Sequence, residues 1–111
     1  MMRTTILAFS LSLAVATSAQ AEYTAKEQQL CETIAESAKA LMGARQRGVA
    51  LSKIMGIARK EGAPTYLEPM VADAYKVPRY SSGPTRRKAV ARFRDDWYLQ
   101  CYNAFSATAK E

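Results

Sequence analysis

The sequence predicts an all-α domain, a small four-helix bundle-like fold with a disulfide joining its first and last helices. Three observations carry this. Apolar residues beyond position 22 recur three and four apart, and no two-residue alternation of strand length appears, which is the helical period. Glycine and proline fall in short clusters that divide the chain into helix-length pieces. The two cysteines, Cys31 and Cys101, sit in the first and last of those pieces.

Residues 1–21, MMRTTILAFSLSLAVATSAQA, are expected to be a secretory signal. Arg3 precedes an apolar run from Ile6 to Ala16, and Ala19-Gln20-Ala21 supplies a small-x-small cleavage pattern before Glu22. A membrane anchor is the weaker reading, because the run is about half the roughly 20 residues a spanning helix needs. No later segment is apolar enough to span, so no membrane span is expected after cleavage. Residues 22–111 then form a single helical domain, periplasmic or secreted.

The first helix is expected over Ala25–Arg47. Thr24 and Glu27 have the spacing of a capping box. Leu30, Ile34, Ala38, Leu41 and Met42 make its apolar stripe, with Cys31 and Ala35 at the edge. Gly43 interrupts the pattern, and a glycine inside a helix costs about 1 kcal/mol unless a neighbour needs the room. Arg45-Gln46-Arg47-Gly48 reads as a C-terminal stop: a basic last turn, then a residue suited to the left-handed conformation. The second helix is expected over Leu51–Lys60, with Leu51, Ile54, Met55 and Ala58 inward and Ser52 as its cap, ended by Glu61-Gly62-Ala63-Pro64. A third covers about Thr65 to Lys76 and is regular from Pro69, with Met70, Val71, Ala74 and Tyr75 inward and Val77-Pro78 as its stop. The loop Pro78–Pro84 leads to the last helix, with Pro84 as its first residue. There Val90, Phe93, Trp97 and Cys101 step by three, four and four and share one face. Phe93 and Trp97 are expected in the core, and Arg92 and Asp96, four apart, have the spacing of an ion pair.

Composition narrows the function. The net charge is +6, falling to +5 once Arg3 leaves with the signal. Such a balance suits anionic surfaces: lipid headgroups, wall polymers or an acidic protein. Nucleic acid is not expected as the partner of an exported chain. Two cysteines in an exported chain suggest one intramolecular disulfide, with an intermolecular bridge or two free thiols as alternatives. The chain has no histidine, so Ser-His-Asp and Cys-His machinery and CxxCH haem attachment are excluded. Two cysteines alone do not make a standard structural zinc site, and without CxxC thioredoxin-like chemistry has no support. Glu32 and Glu36 share a helix face, but glutamates so placed are ordinarily solvated rather than a glycosidase pair. The expectation is a non-enzyme that uses no cofactor or metal, a monomer or weak dimer.

Basic residues gather around the start of the last helix: Arg79, Arg86, Arg87, Lys88, Arg92 and Arg94, with Tyr80 among them. Arginine and tyrosine together are common at recognition surfaces. Positive charge in a first helical turn also opposes the helix dipole, so helix stability does not explain Arg86, Arg87 and Lys88. These seven residues are the candidate patch for an anionic partner. The junction Ala44–Ser52 is a second exposed elbow, for which a glycine-terminated helix hairpin is a sufficient account.

The pattern Cys31-x2-Ile34-Ala35, Met42-x2-Arg45-Gln46-x-Gly48-Val49, Ser52-x2-Met55, Ala74-Tyr75-x2-Pro78-Arg79-Tyr80 and Phe93-x3-Trp97-x3-Cys101 resembles a set of uncharacterised small exported proteins of proteobacteria and their phages. The resemblance covers most of residues 22–111. It implies a shared scaffold built on the two cysteines and the Arg-Gln-x-Gly-Val junction, and it brings no activity or binding residues. In size, export and widely spaced cysteines alone, the chain is also similar to HdeA-type periplasmic acid-stress chaperones. The expected function is therefore an exported interaction module that binds a protein or an anionic envelope component. The alternative is a periplasmic stress chaperone, which the basic charge disfavours: acid would remove the carboxylate charges and leave the chain repelling other protonated proteins.

Overall fold

In the computed structural model of the chain, residues 23–108 are described, so the expected secretory signal at residues 1–21 lies outside them. Among the described residues there are four helices and no strand: α1 (Ala25–Gln46), α2 (Leu51–Ala58), α3 (Leu67–Ala74) and α4 (Gly83–Thr108). The long helices α1 and α4 pack along one another, and the short pair α2 and α3 covers part of α1.

Local chemistry sets both ends of α1. The Thr24 hydroxyl accepts from the Glu27 amide at 3.1 Å while the Glu27 carboxylate accepts from the Thr24 amide at 3.2 Å, so the expected capping box is present. At the other end Gly48 takes φ +81°. Its amide donates to Arg45 O and the Val49 amide to Ala44 O, each at 3.0 Å, the paired bonds of a Schellman stop.

Packing keeps Ala38 and Met42 of the expected stripe of α1 and turns the rest toward its edge, so that Ile34 and Leu41 are only partly buried. Cys31, Ala35, Ala38 and Met42 are fully buried, whereas Leu30 is 45% exposed. The reason is the closeness of α4. Cys31 and Cys101 form a disulfide with their Cα atoms 5.5 Å apart, and helices that approach so closely need small residues between them. Met42 meets Met70, Ala74 and Phe93 in the main core, against which Val90 and Trp97 pack partly buried. A smaller cluster of Ala44, Ile54, Ala58 and Val71 holds α2 and α3 to the end of α1. Each fully buried Met or Val side chain contributes about 1.5–3 kcal/mol.

The shorter elements depart from expectation in detail. α2 ends at Ala58, its N-cap is Ala50 rather than Ser52, and Leu51, expected inward, is 45% exposed. α3 starts at Leu67, so Pro69 is its third residue, where a missing N–H costs nothing because the first four helical amides have no intrahelical partner. α4 starts at Gly83, one residue before Pro84, and the Ser82 hydroxyl accepts from the Thr85 amide at 3.3 Å as its cap. Trp97 is half-buried rather than enclosed, and its indole N–H donates to Asp73 Oδ2 at 3.0 Å, tying α4 to α3. None of the described helices is long and apolar enough to cross a membrane.

Candidate anion-binding groove

The expected basic patch is divided by α4 into two flanks, on either side of the Phe93–Trp97 ridge that faces the core. On one flank Arg86, Arg87, Val90, Ala91 and Arg94 fall at helical spacing and face Lys39, Gly43, Gln46 and Arg47 of α1. Between them runs a groove of about 490 Å³. On the other flank Tyr80, Lys88 and Arg92 line a separate hollow of about 520 Å³ with Val77, Phe93 and Asp96. Arg92 and Asp96, the expected i,i+4 pair, share that hollow without an ion pair.

The first groove owes its shape to Gly43. A Cβ built there would lie 3.1 Å from an Nη of Arg47, one helical turn on, and would meet nothing else outside its own helix within 4 Å. The missing side chain therefore leaves the floor open and lets the Arg47 guanidinium lie back over α1. Val90 and Ala91 supply the facing wall. Arg94 crosses from α4 to α1, its Nη2 at 2.8 Å from Glu32 and its Nε at 3.2 Å from Glu36. The hydrogen bond that Arg94 donates to Glu36, then the charge of Glu32, holds the guanidinium even more firmly protonated. Both carboxylates are exposed, so solvent screens the pair and it positions the guanidinium more than it stabilises the fold. Glu32 and Glu36 thus serve as the two feet of one arginine bridge.

Arg79 lies in neither hollow. Its Nε donates to Gln46 O at 3.0 Å and its Nη2 to Arg47 O at 3.4 Å. A cation at these orphan carbonyls complements the negative end of α1. Gly48 is required twice over: by its positive φ, and because a Cβ there would stand 2.8 Å from the Arg79 guanidinium carbon. Gln46, 3% exposed, clamps the same loop from inside. Its amide nitrogen donates to Pro78 O and its amide oxygen accepts from the Tyr80 amide, both at 2.9 Å. Arg45 donates to Val77 O at 3.0 Å and lies 5.1 Å from the Tyr75 ring centre, a cation–π distance. The Tyr75 hydroxyl donates to Val49 O, and Arg86 Nε donates to Tyr80 O.

The conspicuous residues of the Arg45–Val49 and Tyr75–Tyr80 segments therefore recognise each other. No protein-family model, curated protein or solved structure matches the chain. What sequence reading missed is the α1 half of the groove. Lys39, Gly43 and Arg47 are spaced four and four, a stripe that becomes visible as a wall only once α4 lies beside it.

Proposed function

We propose that this chain is an exported, non-catalytic interaction module, periplasmic or secreted, that binds an anionic partner, a protein or an envelope component, through the α1/α4 groove. The observation that carries the reading is the convergence of Lys39, Arg47, Arg86, Arg87 and Arg94 around one hollow. Like charges drawn from two helices repel one another and oppose folding, and a bound anion relieves that repulsion. The disulfide supports export, since such bonds persist in oxidising compartments outside the cytosol.

Calorimetric titration with a hexaglutamate peptide and with pyrophosphate tests the binding. Affinity falls as salt is raised. Replacing Lys39, Arg47 and Arg87 with Gln lowers it by about tenfold or more, whereas Lys88→Gln with Arg92→Gln on the other flank changes it little. Equal losses from the two sets would place the binding elsewhere and end the proposal. Export is tested by the intact mass of the protein recovered from its host. A chain beginning at Glu22 supports it, and retention of residues 1–21 refutes it.

A further inference from the structure

We infer that the α1/α4 groove takes a single-chain lipid with a phosphate headgroup. The inference rests on the anion-binding reading above and adds the other half of the ligand. The groove is lined by carbon nearly throughout. Gly43 forms its floor and Val90 and Ala91 its facing wall, and the side chains of Lys39, Arg47 and Arg87 complete the lining, long methylene stems that each end in a cation. A bare oxoanion is held best where N–H groups converge from several sides, as at a backbone nest. This lining offers hydrocarbon with cationic nitrogen set beside it. An acyl chain along the hydrocarbon with its oxoanion on those nitrogens satisfies both.

Charge selects the headgroup. Arg94 is occupied by Glu32 and Glu36. Among the described residues, Lys39, Arg47, Arg86 and Arg87 have no carboxylate partner. Four unneutralised cations match a phosphate monoester carrying about −1.5 to −2 better than a single carboxylate. The lining also disfavours other anions. It holds no aromatic ring, so single-stranded nucleic acid would find no stacking platform. An acidic peptide would have to lay unpaired backbone amides on hydrocarbon.

The test is titration of the protein with dodecyl phosphate below its micelle concentration, beside methyl phosphate and dodecyl maltoside. Dodecyl phosphate is expected to bind one to one and at least about thirtyfold tighter than methyl phosphate, since each buried methylene is worth about fourfold. The uncharged maltoside is expected to bind far more weakly than dodecyl phosphate. Gly43→Leu fills the floor with a good helix former. It is expected to abolish the gain from the alkyl chain while methyl phosphate still binds, with thermal melting verifying the fold. Amide NMR shifts provide a readout independent of that variant: Gly43, Val90 and Ala91 move on adding dodecyl phosphate, and Leu30, Ile34 and Phe105 do not. Equal affinities for the two phosphates, tight binding of the maltoside, or shifts centred on Leu30 and Phe105 would each overturn the lipid while leaving the anion site intact. Absence of binding by both phosphates, pyrophosphate and hexaglutamate would overturn both proposals together.

Discussion

At the elbow end of the α1–α4 pair, side chains hold backbone: Gln46 clamps Pro78 and Tyr80, Arg45 holds Val77, and Arg79 caps α1. At the opposite end one covalent bond, Cys31–Cys101, joins the helices beneath half-exposed Leu30 and beside exposed Leu99 and Tyr102. There a shallow apolar hollow of about 300 Å³ lies between Leu30, Ile34, Trp97 and Phe105. The clusters that hold α2 and α3 draw on Ala38, Met42 and Ala44, in the elbow half of α1. The elbow is thus specified by many part-buried directional bonds over a packed core, and the far end by a tether, the exposed Arg94 bridge and the Tyr23–Tyr98 contact over a thin one. A two-helix end without a covering layer buries too little apolar surface to offset the entropy of ordering it.

The largest test of this contrast removes the tether. Cys31→Ala with Cys101→Ala frees a loop of 70 residues, and the chain-entropy relation puts the loss at about 4.4 kcal/mol. Urea unfolding measures the total, and hydrogen exchange measures its distribution. Amides near Leu30 and Leu99 are expected to open far below the global unfolding energy, while those near Gln46 stay protected. Uniform loss of protection would break the comparison.

The mirror experiment attacks the elbow. Gln46→Leu keeps the volume but leaves Pro78 O and the Tyr80 amide unpaired, at a cost of about 3 kcal/mol in urea unfolding. A loss under 1 kcal/mol would mean that water or backbone adjustment replaces the clamp, and the elbow would no longer be the better specified end.

The smallest effect sharpens the far end. The Tyr23 hydroxyl meets the Tyr98 hydroxyl at 2.6 Å. Burial first, then this hydrogen bond, pushes the Tyr23 phenol from 10.0 to about 12. The raised value favours the neutral phenol in the folded state, so its contribution is complete below pH 10 and is lost as the pH rises toward 12. Tyr23→Phe is expected to flatten the decline in stability above pH 10. An unchanged decline, followed by thermal melting against pH, would remove Tyr23 from the account.

Features decided within a few residues were legible in the sequence. Thr24 with Glu27 and Gly48 after Arg47 act through bonds three to six residues long, and both stand as read. Phe93 is buried as its spacing predicts, but Leu30, on the expected stripe, is not. Hydrophobicity favoured Leu30, and the short separation of α1 and α4 favoured the edge residues Cys31 and Ala35 instead, while Ala38 and Met42 are buried as expected. The candidate patch was legible as charge and not as a surface. Arg79 turned out to cap a helix, Arg94 to bridge Glu32 and Glu36, and Lys88 and Arg92 to lie on the other flank from Arg87.

The sequence by itself determined the four helices, the capping box and glycine stop of α1, and a pair of cysteines suited to join the first helix to the last, because helical period, capping and turn chemistry act over one or two turns of chain. Only the tertiary structure decided which stripe of α1 is core, that Gln46 and Arg79 hold the loop after α3, and that Lys39 and Arg47 face Arg86 and Arg87 across a carbon-lined groove. Those outcomes depend on the distance and rotation of helices some forty residues apart in the chain, which packing and the disulfide fix and no local pattern encodes.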